Sequence, residues 1–298
     1  MRRRCNILKP FRLRGQHAII CCAILWSTSG LFIKLVNWHP IVIAGMRSLT
    51  AAVFMLIVRG FFPPKKSQKN PPGLLWAGAL VYSFTMLAFV TANKLTASAN
   101  AIVLHYSAPI WAALLGWFLI KEKPRREHWG ALVMILGGLF LLFKDGLKSG
   151  NLLGDVIAMF SGIFFGAHSV VLRMMKDGNP RDSMILGHGI NFIIAIPFLF
   201  LFPPDVNPGS VLPILFLGIF QIGCASLLFA YGTSRISAIQ VMIITMIEPV
   251  LSPLWVFLAI GEKPSSSTLI GGLIIIVAVA GSSIIGKRRE LSVRQTLS

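Results

Sequence analysis

Charge is scarce in this chain, and acid is scarcest. Of 298 residues only 13% are charged, and only 10 are Asp or Glu. Soluble domains carry about 25% charged residues. Tyrosine is down to three and cysteine to four. The cysteines Cys5, Cys21, Cys22 and Cys224 form no CxxC and no Cys/His ligand set, and three of them lie in apolar runs, so packing is their expected role. No HExxH, DDxxD-like or GxSxG pattern occurs, and no Walker motif. These absences argue against a membrane-embedded hydrolase or prenyl-transfer enzyme, which needs clustered acids, histidines or metal ligands, and against an ATP-driven pump. No metal and no cofactor is expected.

Apolar residues make up 55% of the chain, more than a soluble core of this size can hide. The net charge of +18 does not point to nucleic acid, because the basic residues cluster between apolar runs and no nucleic-acid module is present. Ten apolar runs are long enough to cross a bilayer: 16–36, 39–59, 73–93, 97–120, 127–144, 153–175, 183–202, 211–231, 236–260 and 267–286. Ten spans put both termini on one side. With the termini inside, 22 of the 28 Lys and Arg fall on that side and five on the other, so both termini are expected in the cytoplasm and the protein in the inner (plasma) membrane. The basic start, MRRRCNILKPFRLRG, reads as a cytoplasmic tail rather than a signal peptide, since no small-residue cleavage site follows the first run.

The chain repeats itself. Thr96 to Pro124 recurs at Ile236 to Pro264 with a displacement of 140 residues: Pro109 falls on Pro249, Leu114 on Leu254, and Glu122-Lys123-Pro124 on Glu262-Lys263-Pro264. Spans 3 and 8 match at the same displacement, Leu75 on Leu215, Gly78 on Gly218 and Phe89 on Phe229. The predicted fold is therefore an all-α integral membrane protein of two five-helix repeats, 16–144 and 153–286, between tails 1–15 and 287–298. Each repeat has an odd number of spans, so the second is inverted. Inverted repeats are typical of alternating-access carriers, with the site at mid-membrane between the halves. Pro109 and Pro249 cannot donate to the carbonyls of His105 and Thr245, so spans 4 and 9 are predicted to kink there. A matched pair of interrupted spans also points to a carrier's binding site.

These residues resemble the EamA family of the drug/metabolite transporter superfamily: Trp26 to Gly30 (WSTSG) in span 1, Pro40 with Arg47 in span 2, Pro109 and Glu122 at span 4, and Glu248-Pro249 with Gly261-Glu262 at span 9. The resemblance covers residues 16–286. It implies a secondary transporter, commonly an exporter of amino acids or other small metabolites, and leaves the substrate open. A lipid-carrier or nucleotide-sugar-type translocator on the same fold is the alternative, with a membrane-embedded enzyme behind it.

Glu248 is the one acid deep in a span, and is the candidate for proton coupling or for meeting a substrate amine; a structural carboxyl at the Pro249 kink is the competing role. Arg47 could meet a substrate carboxylate, but a structural charge that snorkels or pairs with a carbonyl is favoured. Glu122 and Glu262 are expected to be architectural. Trp26, Ser29, Tyr82, His105, Tyr106, His168, Gln221, Tyr231 and Thr245 are the candidate cavity lining, aromatic faces with polar tips that suit zwitterionic or amphipathic metabolites. Small residues in spans 5 and 10 (Gly130, Gly137, Gly138, Gly271, Gly272, Ala278, Gly281) would let those helices pack on each other or on a second copy. The expected partners are a small-molecule substrate and the lipid bilayer, no nucleic acid, with a homodimer left open.

Overall fold

The computed structural model describes residues 14–63, 70–147, 151–261 and 263–296. Within them every regular element is helical. The helices are α1 (Gly15–Ser27), α2 (Ser29–Lys34), α3 (Pro40–Phe61), α4 (Pro72–Leu95), α5 (Ser98–His105), α6 (Ala108–Ile120) and α7 (Arg126–Phe143) in the first half. The second half has α8 (Leu152–Met174), α9 (Pro180–Leu201), α10 (Pro208–Phe216), α11 (Ala225–Thr233), α12 (Ala238–Thr245), α13 (Ile247–Ile260) and α14 (Ser266–Thr296), with a π-helical stretch, Leu217–Cys224, joining α10 to α11. They make ten spans long and apolar enough to cross a membrane. Prolines open α3, α4, α9 and α10 in the first turn, where the missing N–H costs nothing. Helix α14 runs on to Thr296, so the expected C-terminal tail is largely helix.

The two halves interleave rather than sit side by side. Span 3 (α4) packs on span 6 (α8), and span 8 (α11) on span 1 (α1). Span 4 (α6) also meets span 6, and span 9 (α13) meets span 1. Span 2 (α3) packs on span 7 (α9), and span 5 (α7) on span 10 (α14). Each of these contacts thus has its counterpart under exchange of the repeats. The outward faces are strongly apolar, with Phe61, Val133, Leu152 and Phe200 all more than 70% exposed, as lipid contact requires.

In lipid no hydrophobic driving force holds helix to helix, so close approach has to come from small residues. Gly138 and Gly271 provide it between α7 and α14: a Cβ on Gly271 would stand 2.5 Å from the Gly138 carbonyl oxygen. Gly130, Gly137 and Gly281 have open space beside them instead. Gly162 and Gly166 of α8, one turn apart, press against residues 104–112. Gly218 and Gly223 let the π-helical stretch lie against Thr50 and Phe54 of α3.

The repeat symmetry extends to single backbone angles. Lys121 and Gly261, 140 residues apart, both end their helix in the left-handed conformation, with φ of 58° and 78°. Gly261 suffers no Cβ penalty there, whereas Lys121, the one non-glycine residue of positive φ among the described residues, carries one. The Lys121 side chain is exposed and makes no hydrogen bond or ion pair among the described residues. Lys121→Gly is expected to stabilise the fold by about 1 kcal/mol, the lower end of the left-handed penalty, read as a higher thermal midpoint of the detergent-solubilised protein. A lower midpoint would show that Lys121 does more than turn the chain.

Candidate functional site

Spans 4 and 9 break where their prolines predict. Span 4 divides into α5 and α6 at Tyr106-Ser107, and Pro109 lies in the first turn of α6. Span 9 divides into α12 and α13 at Met246, 140 residues after Tyr106, and Pro249 lies in the first turn of α13. The local bonding is that of a helix restarted. Tyr106 N–H donates to the Ile102 carbonyl at 3.0 Å, Ser107 N–H only reaches back to Leu104 at 3.1 Å, and the Ser107 hydroxyl caps the same carbonyl at 2.7 Å. Thr245 Oγ1 donates to the Met242 carbonyl at 2.8 Å.

Restarting α13 places Glu248 in its first turn, where free N–H groups favour a carboxylate. Glu248 is half-buried, and its carboxyl lies within hydrogen-bonding reach of the Tyr106 hydroxyl. The two breaks are therefore joined: the residue at one interruption meets the acid that follows the other. Cys22 of span 1 lies within electrostatic reach of Glu248.

A continuous aromatic wall adjoins this junction. The Trp26 ring lies 5.1 Å from Phe229 and 5.8 Å from Phe165. His105 stacks on Phe165 at 5.1 Å, and His168 on Phe229 at 5.8 Å and against Tyr82 at 5.2 Å. The Tyr82 hydroxyl is 3.3 Å from His188 Nδ1, and His188 Nε2 is 3.1 Å from Ser226 Oγ. His105 Nδ1 lies 2.7 Å from Ser161 Oγ, whose own proton goes to the Thr85 carbonyl at 3.1 Å. His105 is thus the donor of that pair. Gln221, on the π-helical stretch, donates to the Trp26 carbonyl at 3.5 Å, and its Oε1 has no partner.

Trp26, Tyr82, His105, Tyr106, His168 and Gln221 thus come together with Glu248. Two expected lining residues do not. Tyr231 lies beneath the Arg235 guanidinium, whose Cζ is 3.3 Å from the ring centroid, at the termini-side end of span 8. Thr245 is fully buried with its hydroxyl bonded within its own turn. Ser29 is half-buried in the short α2, past a break in span 1. Sequence reasoning missed Cys22, Phe165, His188, Asn191 and Ser226. His188 and Asn191 left a readable trace, two polar residues three apart in an otherwise apolar span.

The acids expected to be architectural divide. Glu122 accepts from Arg173 Nε at 2.7 Å and from the Ala238 N–H at 3.3 Å, while Arg173 also donates to the Ser234 carbonyl at 2.9 Å. One carboxylate so ties the ends of spans 4, 6 and 8 to the start of span 9. Glu262 lies outside the described residues. The opposite end has its own brace. Lys94 Nζ donates to His39 Nε2 at 3.1 Å, His39 stacks on Phe202 at 4.1 Å, and the Trp38 indole donates to the Asp205 carbonyl at 2.8 Å. Burial, and then the Lys94 charge, hold His39 below the usual imidazole range, so at neutral pH its ring is free to accept.

Comparison with known proteins gives a consistent picture. A family model described as the EamA-like transporter family matches residues 13–144 and 152–284. A Bacillus subtilis protein named uncharacterized transporter YwfM is 27% identical over 273 residues, covering 87% of this chain and 92% of its own. An uncharacterized transporter of Archaeoglobus fulgidus is 25% identical over 273 residues, covering 86% and 92%. A solved crystal structure superposes with a TM-score of 0.82 at 20% identity, over 93% of this chain and all of that one, which shows a shared fold.

Proposed function

The chain belongs to the EamA-like transporter family, matched over both repeats, and from that premise we propose that it is a secondary active carrier of small metabolites, an exporter of amino acids or related compounds that works by alternating access. It sits in the inner membrane with both termini in the cytoplasm, the orientation favoured by 22 of 28 basic residues. The observation that carries the reading is the approach of Tyr106 to Glu248, which brings the two interrupted spans together at the interface of the repeats.

Glu248 is the coupling group. As a carboxylate it accepts from Tyr106 and sits on the α13 N-terminus; once protonated it loses the charge that both contacts favour. Gaining and losing a proton, or meeting a substrate ammonium, therefore changes how firmly the two breaks are held together. The braces at the two ends, Glu122–Arg173 on the termini side and Lys94–His39 on the other, are the contacts that alternate opening would release in turn.

The test is transport by the purified chain in proteoliposomes, with a panel of amino acids and small metabolites and an imposed pH gradient. Saturable flux of one class, sensitive to the gradient, is the expected result. No flux of any panel member, with or without a gradient, in liposomes that hold folded protein would sink the carrier reading.

A further inference from the structure

Arg47 enters the bundle from α3 with no acid to meet it. The ion pairs among the described residues are Arg59–Asp182, Arg125–Glu127 and Arg173–Glu122, all at span ends. Arg47 belongs to none of them, and its Nε is covered yet has no hydrogen-bond partner. The groups within electrostatic reach of its guanidinium are Tyr82 and His188. Neither supplies a counter-charge, since a phenol is neutral here and an imidazole is neutral or cationic. Both are also engaged in the Tyr82–His188–Ser226 chain. The pairing that is one of the structural roles expected for Arg47 is thus absent among the described residues.

Its position is interior. Tyr82 and His188, within its electrostatic reach, are buried, and Arg47 keeps part of its surface exposed. One turn along α3, Ala44 lines a cavity of about 20 Å³ with Ile41, Met86, Leu87, Val90 and Asn191. Asn191, one turn from His188, is buried with both amide atoms unpartnered, and His168 Nε2 is buried and unpartnered as well. The Arg47 Nε, the Asn191 amide and the His168 Nε2 are thus each left unsatisfied inside the bundle, the amide on the cavity one turn from Arg47. In a membrane interior a bare charge is costly, and polar residues kept there mark substrate paths.

We propose that Arg47 is the carboxylate subsite of the transported substrate, with the Asn191 amide beside it, and that the substrate is a zwitterion whose ammonium group faces Glu248. This deepens the carrier reading and rests on it for every step after binding. Charge balance selects the ligand. One guanidinium with no second cation among its described neighbours matches a single negative charge, which is a carboxylate and not a phosphate dianion. Glu248 would repel a second anion. Arg47 lies within electrostatic reach of Tyr82, Tyr82 of Cys22, and Cys22 of Glu248. The aromatic wall of Trp26, Phe165 and Phe229 adjoins the substrate body.

The experiment measures the thermal midpoint of the purified full-length chain against acetate, L-alanine and L-phenylalanine. The corresponding methyl esters and inorganic phosphate serve as comparisons, all at one ionic strength set with chloride. Free carboxylates are expected to raise the midpoint and their esters not to. Arg47→Met is expected to be at least as stable as the parent without ligand, because it removes an uncompensated charge. Its response to carboxylates should weaken by about tenfold or more, and Arg47→Lys should keep part of the response. The proposal is overturned if no carboxylate protects, if esters protect as well as acids, or if phosphate alone protects through Arg47. It is also overturned if both Arg47 variants unfold, which would make the residue structural. Arg47-dependent protection in a protein that moves nothing in liposomes would leave the subsite standing and remove the carrier reading.

Discussion

The Glu248→Gln protein is expected to fold, to exchange substrate across the membrane, and to lose transport driven by a pH gradient. Glutamine keeps the shape of the side chain, and its amide oxygen can still accept from Tyr106, so the junction between the two breaks survives. What it cannot do is take up and release a proton. A carrier whose stroke is tied to that proton should then run in exchange mode, where no net proton moves, and stall when asked to convert a gradient into accumulation. The two assays use the same liposomes: counterflow with substrate on both sides, and net flux under an imposed gradient. Net flux is expected to fall to the level of empty liposomes while counterflow persists at saturating substrate, its half-saturating concentration raised by the loss of the charge that faces the substrate ammonium. Full gradient-driven flux in the variant would rule out the coupling role and leave Glu248 as a carboxyl that fastens the kink. Loss of both modes together with loss of fold would also favour the structural role.

Glu248 stands out in the sequence more sharply than Asn191, whose only trace is that it and His188 are polar residues three apart in an apolar span. A proline acts on the carbonyl four residues before it, so Pro109 and Pro249 fix their breaks to within a residue or two, and the repeat confirms one by the other. An acid in an apolar run is visible against its background. The left-handed ends at Lys121 and Gly261 could be read only in part, because the glycine signals its conformation and the lysine does not. The break at Thr28 has a different cause. Ser27 and Thr28 turn their hydroxyls back onto the Ile24 and Leu25 carbonyls, both at 2.7 Å, and the Trp255 indole donates to Ser27 from span 9 at 2.8 Å. That third contact comes from a residue 228 positions away, beyond any local pattern. The π-helical stretch has no periodic signature either; it depends on Gly218 and Gly223 meeting Thr50 and Phe54 of another span. The same limit explains Tyr231. Its composition suits a cavity, but the Arg235 four residues on holds the ring at the end of the span.

Gly166→Ala is expected to be among the most damaging single-methyl additions the chain can receive. A Cβ there would stand 2.6 Å from the Ala108 carbonyl oxygen and 2.8 Å from both the Ala112 nitrogen and the Trp111 Cβ. None of these is the end of a flexible side chain, so the methyl cannot be accommodated by a rotamer change, and α8 and α6 must move apart. Overpacking of this kind costs about 1–3 kcal/mol. The functional loss should exceed the structural one. Ala108 is the first residue of α6, two positions from Tyr106, so a shift of this helix start draws the Tyr106 hydroxyl away from Glu248. Gly137→Ala is the control. It is also mid-helix in a span, but its added Cβ meets nothing within 4 Å, and alanine should gain slightly there from helix propensity, by up to about 1 kcal/mol. The pair is compared by thermal midpoint and by gradient-driven flux in the same liposomes. Gly166→Ala should show a lowered midpoint and a flux reduced further than the remaining folded fraction accounts for, with Gly137→Ala at or above the parent in both. Equal behaviour of the two variants would mean that the contact between α8 and the break of span 4 yields freely. The junction would then not be the rigid point on which the two halves turn.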